Sequence, residues 1–355
     1  KALRAGRSID CDAIQMFTRN ANRWTSKYLT AQEIADGLAE TSEYLVHHPK
    51  IQALVQYGSS KVNPSLPVDA SVLAAVRAAK TPGAKAESLM RIVVTAAARR
   101  LESLYRITAG AHGYVCAQVN PALAGDRSAM EDMARRFDAW APNIAVKLPA
   151  TAAGLDVMER CAVDGITTTV TVSFTVPQVL AAGRRFQEAL KRRKPGARCG
   201  RCFAVVMIGR LDEYLREVCA DSGDAVSDEE IRNSGLAVVK RAHGVYRERG
   251  YEATLLVAAL RGNYHMTGLA GGDLVVSIHP AYQKTLLEGP AERNRRIDEP
   301  VPAAILAKLQ RVPEFVRAYE PDGLSEKEML SYGVTQRTIS QFIESGWKLL
   351  EQFTP

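Results

Sequence analysis

The chain has 355 residues, 46% hydrophobic and 24% charged, with a formal net charge of +7 and six cysteines. This is the balance of a globular protein with room for one large barrel or two modest domains. Six cysteines in a chain of this length argue against a disulfide framework, and the absence of any run near eighteen apolar residues argues against a transmembrane helix.

The basic excess suits an anionic substrate, an acidic partner or a matrix-like compartment. Its densest stretch, KRRKPGARCGR at 191–201, holds Pro and Gly and no interleaved aromatics. It reads as a solvated loop first and as a nucleic-acid surface second. Cys199 and Cys202 make one CxxC with no second pair, so free thiols are expected rather than a zinc site. The chain starts at Lys1, and Arg4, Arg7 and Ser8 are compatible with a cleaved targeting peptide. Localisation therefore stands between cytoplasm and organellar matrix.

In chain order, LTAQEIADGLAE opens with Thr30 and Glu33 at capping-box spacing and predicts a helical extension over 1–40. From about residue 110, short β-branched segments alternate with longer helical ones. The strand-like segments are GYVCAQVN (113–120), NIAVKL (143–148), TTTVTVSF (167–174), CFAVVMIG (202–209), ATLLVAAL (253–260) and DLVVSIH (273–279). Such repetition predicts a parallel sheet with crossover helices. Six units, with room for two more before residue 110, predict an α/β fold of the (β/α)8 TIM-barrel type over 41–300. A doubly wound open sheet is the alternative, but no GxGxxG follows an early strand. Residues 301–355 carry further helical patterns, with Ser325 and Glu328 at capping-box spacing, and are expected to pack on the barrel.

Within NIAVKL, alternation puts Ile144, Val146 and Leu148 on one face and Asn143, Ala145 and Lys147 on the other. In a barrel the bulky aliphatic face meets the helices, so the second face points inward. The same parity turns Thr169, Thr171 and Ser173 inward on the next strand, and Tyr114, Cys116 and Gln118 on the preceding one. Lys147 and Gln118 fall near the C-terminal ends of their strands, where barrel enzymes keep their chemistry. Burial favours the free amine of such a lysine, which can attack a carbonyl and form a Schiff base. Gln118 and Thr171 could then hold a water for proton transfer. The plainer alternative is a lysine that reaches solvent or pairs with a carboxylate.

At these residues the chain resembles the transaldolase family and the related fructose-6-phosphate aldolases. The match runs through AVKLPATAAGLDVMERCAVDGITTTVTVSF, MIGRLDEYL and ERGYEATLLVAALRGNYHMTGLAGGDLVVSI, and covers roughly residues 110–345. The tail AYEPDGLSEKEMLSYGVTQRTISQFI is similar to that of a longer bacterial-type branch. The resemblance implies that Lys147 is the Schiff-base lysine, that Thr171 and Gln118 serve the catalytic water, and that Arg210 and Arg261 bind phosphate. It also puts Asn63, in KVNPSL, and Thr169 among the substrate-binding positions. The implied activity is transfer of a dihydroxyacetone unit between sugar phosphates, in carbohydrate metabolism of the pentose phosphate type. The lysine itself is the electron sink, so no metal or organic cofactor is implied.

Several positions depart from the family pattern. Gln118 stands where many members have Glu, Met207 where the aldolases have Tyr, and Thr169 where Asn is common. A strand-one Asp has no counterpart, and His47 and His48 occupy its neighbourhood. These departures keep open a second reading, a catalytically impaired scaffold that is a subunit of a larger assembly. Sugar phosphates are the expected ligands, with no membrane insertion and no nucleic acid, and homo-oligomer formation is possible in either reading.

Overall fold

The computed structural model describes residues 70–354 apart from 194, 195, 197, 280, 281 and 283–293. Asn63, His47, His48 and the extension expected over 1–40 lie outside the described residues.

The described residues open with two helices, α1 (Ala70–Ala78) and α2 (Pro82–Ile107). Thr81 starts α2: its hydroxyl accepts the Ala84 N–H, and Pro82 fits the first turn, where a missing N–H costs nothing. The repeating part follows as β1 (Val115–Gln118), α3 (Arg127–Asp138), β2 (Ile144–Pro149), α4 (Ala152–Val163), β3 (Thr168–Thr171), α5 (Val176–Lys191) and β4 (Cys202–Met207). It continues as α6 (Ile208–Ser222), α7 (Asp228–Ile231), α8 (Ser234–Arg249), β5 (Thr254–Ala258), α9 (Asn263–Gly268) and β6 (Val275–Val276). All six expected strands are present, each hydrogen-bonded in parallel to the next in the order β1-β2-β3-β4-β5-β6. This sequential order is that of a barrel wall and not of a doubly wound sheet, whose strand order reverses. The two additional strands expected before residue 110 do not occur in 70–107, which is helical apart from its short connection.

Helices α3, α4 and α5 are each started by a polar side chain at the end of the preceding loop or strand. Asp126 accepts from Ala129 N, Thr151 from Gly154 N and Thr175 from Gln178 N. At α4 the first turn also needs Gly154, because a Cβ there would sit 1.9 Å from the Pro149 carbonyl oxygen. The helix can thus press directly on the end of the strand that carries Lys147. The outward residues Ile144, Val146, Leu148, Val170 and Val172 are all buried against the helical layer, as alternation requires.

The C-terminal residues form α10 (Ala303–Leu309), α11 (Pro313–Tyr319) and α12 (Gly333–Phe342), then a π-helical turn (Ile343–Trp347) and α13 (Lys348–Glu351). The end of the chain returns to α2, where Lys85 Nζ donates to the Phe353 carbonyl at 2.9 Å and Leu89 packs with Phe353. The helix expected to open at Ser325 is instead a series of turns. Glu328 does bond back to Ser325 N and Oγ, at 2.9 and 2.6 Å, but no hydrogen-bonded helix follows. A reciprocal capping box forms elsewhere, between Ser227 and Glu230 at α7. Among the described residues no helix is long and apolar enough to cross a membrane.

Candidate active site

Register carries the inward parity from strand to strand. Cys116 pairs with Ala145, Gln118 with Lys147, Lys147 with Thr169, and Thr169 with Phe203. Residues paired in a parallel ladder share a face, so Cys116, Gln118, Ala145, Lys147, Thr169, Thr171, Phe203 and Met207 all lie on the concave side. Side-chain contacts agree with this at three levels. Tyr114 meets Phe203 edge to face, with ring centroids 5.7 Å apart; Cys116 Sγ lies 3.4 Å from Thr169 Oγ1; Thr171 Oγ1 lies 4.0 Å from Met207 Sδ. Asn143 departs from the expected parity. It precedes β2 and donates its amide to the carbonyls of Ala98 in α2 and of Gly113, at 2.9 and 2.8 Å. The alternation begins only at the strand itself.

Lys147 is 5% exposed. Burial pushes its pKa down to about 8; the Cys116 thiol beside it opposes that shift, and the Arg210 charge adds to it. The amine form is therefore within reach near neutral pH, as Schiff-base chemistry requires. Gln118 lies on the neighbouring strand, where its Nε2 donates to the Lys147 carbonyl at 3.1 Å and to the Val119 carbonyl at 3.2 Å. With both amide N–H groups donating to carbonyls, its Oε1 is the end left to accept from water or ligand.

The ends of β2 and β3 are held by Gln178 of α5, which is fully buried. Its Nε2 donates to the carbonyls of Ala150 and Val172, both at 3.2 Å, and its Oε1 accepts from Phe174 N at 2.9 Å and Thr175 Oγ at 3.0 Å. Val172, immediately after Thr171, has φ 53°, an unfavourable conformation for a β-branched residue. Ala259, just past β5, is likewise left-handed at φ 59°. Strain of this kind persists where surrounding bonds over-determine the backbone, and here it lies at the C-terminal ends of two strands.

Arg210 stands in the first turn of α6, whose N-terminal N–H groups favour an anion. Burial lowers its pKa to about 10, with Arg261 and Arg337 lowering it further and Glu213 opposing them. Its guanidinium donates to Gln341 and lies 5.5 Å from the centroid of the Phe342 ring, both on α12. Arg261 clasps Glu213 through two bonds, Nε–Oε1 at 2.6 Å and Nη2–Oε2 at 2.9 Å. Arg337 pairs with Glu217 on the next turn of α6. Arg261 and Arg337 are thus each paired with a carboxylate, and Asp212 also acts on Arg261, whereas Arg210 bonds to the neutral amide of Gln341, an arrangement that suits an anionic ligand at Arg210.

Lys147, Thr169, Thr171 and Gln118 therefore lie on one concave face, and Arg210 is close enough to influence Lys147. Arg261 joins them through Glu213. The sequence reading missed Gln178, Asp212, Glu213, His265, Gln341 and Phe342. The carboxylates of RLDEYL, directly after Arg210, carried a usable signal. Gln178 and Gln341 carried none, because their partners are backbone groups or lie far along the chain. Among the described residues no group of three or more His, Cys, Asp or Glu is arranged to hold a metal ion.

Residues 60–353 match the family described as transaldolase/fructose-6-phosphate aldolase. A transaldolase of Thiobacillus denitrificans is 33% identical over 245 residues, covering 65% of this chain and 66% of the relative. A probable transaldolase of Dehalococcoides mccartyi is 29% identical over 147 residues, covering 41% and 54%, and one of Caulobacter sp. is 30% identical over 169 residues, covering 47% and 63%. The chain spans between about half and two thirds of the length of these relatives. The concave lysine, the paired arginines and a match over residues 60–353 lead to one conclusion: the chain belongs to the transaldolase/fructose-6-phosphate aldolase family.

Proposed function

We propose that this protein transfers a dihydroxyacetone unit between sugar phosphates through a Schiff base on Lys147. The observation that carries the reading is a lysine buried on the concave face of the sheet, its pKa lowered to about 8, beside an arginine cluster. The amine of Lys147 attacks the C2 carbonyl of a ketose phosphate, and loss of water gives an iminium. Deprotonation of the C4 hydroxyl breaks the C3–C4 bond, whose electron pair enters the iminium and leaves an enamine. The shortened aldose phosphate departs. The enamine adds to the aldehyde of a second aldose phosphate, and water then hydrolyses the new iminium to free Lys147. Thr171 and Gln118 hold the water for these proton transfers, with Thr169 lining the pocket beneath. Arg210 and Arg261 bind the phosphate by charge-assisted hydrogen bonds, helped by the N-terminus of α6. Met207 offers no hydroxyl where the aldolases have Tyr, which favours transfer to an acceptor over simple aldol release.

The test combines trapping with turnover. Incubation with fructose 6-phosphate and borohydride should leave a reduced adduct on the Lys147 peptide, and Lys147→Ala should abolish it. With erythrose 4-phosphate present the wild-type protein should turn over. Binding of fructose 6-phosphate without an adduct would refute the Schiff base. An adduct that never proceeds to product would support the impaired scaffold instead.

A further inference from the structure

Behind Arg261 lies a polar pair that the chemistry above does not use. His265 of α9 is fully buried and Asp212 of α6 is 1% exposed. His265 Nδ1 lies 3.1 Å from the backbone nitrogen of Arg261, and its Nε2 lies 2.9 Å from Asp212 Oδ2. A backbone N–H can only donate, so Nδ1 is the accepting nitrogen and Nε2 carries the hydrogen that Asp212 accepts. The other carboxylate oxygen accepts from Ser234 Oγ and Gly235 N, both at 2.8 Å, at the start of α8. The carboxylate thus fixes the imidazole, and the imidazole fixes the main chain at Arg261.

We propose that Asp212 and His265 are positioning residues that aim the Arg261 guanidinium at the phosphate of the substrate. The inference rests on the reading of Arg261 as a phosphate ligand. Consecutive residues of α6 hold the two ends of this arginine: Asp212, through His265, holds its backbone, and Glu213 clasps its guanidinium. Arg210, two residues earlier, is the other phosphate ligand. One helical turn therefore sets the spacing between both arginines. Without the bond to Arg261 N, the segment after left-handed Ala259 would have one fewer constraint where the arginine leaves the strand.

Two near-isosteric substitutions separate positioning from mere core packing. His265→Asn puts an amide oxygen near the place of Nδ1, so it can still accept from Arg261 but loses Asp212. His265→Gln reaches toward the place of Nε2, so it keeps Asp212 and loses Arg261. Binding of fructose 6-phosphate, with inorganic phosphate as competitor, is measured by calorimetry alongside melting temperature. Loss of one hydrogen bond to the main chain corresponds to roughly five- to tenfold in affinity, which is the weakening expected for His265→Gln. His265→Asn should stay closer to wild type whatever its melting temperature, and KM should rise more than kcat falls in His265→Gln. Asp212→Asn should behave like His265→Gln, because its amide favours the wrong imidazole tautomer. In an Arg261→Ala background, His265→Gln should add nothing.

Equal binding by His265→Asn and His265→Gln, in a protein whose affinity depends on Arg261, would overturn the inference and leave the proposed function standing. Failure of the wild-type protein to bind either fructose 6-phosphate or inorganic phosphate would overturn both. If the His265 variants do not fold, the ¹⁵N shifts of His265 in the wild-type protein decide. A hydrogen on Nδ1 refutes the arrangement, and a hydrogen on Nε2 with weakened binding by Asp212→Asn supports it.

Discussion

Cys116 Sγ reaches to 3.4 Å from Thr169 Oγ1, although β2 lies between their two strands. The contact passes over Ala145, the register partner of Cys116, whose side chain is a single methyl group. Two residues further along β2, on the same face, comes Lys147. The small residue leaves the space in which a long side chain can lie without meeting its own strand.

Ala145→Val should therefore close that space. Overpacking a full interior costs about 1–3 kcal/mol, and chemical denaturation should read a loss of that size. The borohydride-trapped adduct on Lys147 should fall in parallel. A variant that lost neither stability nor adduct would show that Ala145 is not what makes room for the lysine.

Lys147 itself should be costly to stability. Its pKa is about 8 in the folded chain against 10.5 for an unperturbed lysine, so between those values the unfolded chain binds more protons. Stability should accordingly rise with pH through that window. A displacement of this size corresponds to about 3 kcal/mol at most, and Lys147→Met should recover ~1–3 kcal/mol below pH 8, a gain that fades as pH approaches 10.5. The rate of adduct formation in the wild-type protein should climb over the same lower limb, with an apparent pKa near 8. A pH-independent difference between Lys147→Met and wild type would contradict the origin assigned to the shift.

Gly209 offers a test of the arginine cluster from the opposite side. A Cβ there would lie 2.4 Å from Arg261 Cγ and 2.5 Å from the Ala259 carbonyl oxygen. The arginine can swing away but the carbonyl belongs to a strand end, so Gly209→Ala should displace Arg261. Losing one charged contact is worth roughly 1.5–3 kcal/mol, and fructose 6-phosphate should bind more weakly by that amount. Trapping of unphosphorylated dihydroxyacetone on Lys147 should change little. Equal losses for both compounds would indicate a general folding defect.

Gln178→Leu should be the most destabilising of these changes. It strips partners from the carbonyls of Ala150 and Val172 and from Phe174 N. Each buried polar group left unpaired costs about 1–3 kcal/mol, so a total above ~3 kcal/mol is expected in denaturant titration. Val172 should then relax from its left-handed backbone and carry Thr171 with it. Crystallography or amide exchange at Val172 would detect that relaxation, and an unchanged Val172 would remove Gln178 from its support.

The six strands, their parallel arrangement and the face on which Lys147, Thr169, Thr171 and Gln118 lie were legible in the residue order alone. Those features depend on the two-residue alternation of a strand and on short strand–helix repeats, which are local properties of the chain. Local spacing misled at Ser325, where the capping side chains pair without a helix, and at Asn143, which is drawn to α2 before β2 begins. How the arginines are held followed instead from the packing of distant elements. Gln341 meets Arg210 across 131 residues, Asp212 meets His265 across 53, and Glu213 meets Arg261 across 48. No periodicity records such pairings, because they arise only when whole elements pack and the polar groups they bury must find partners.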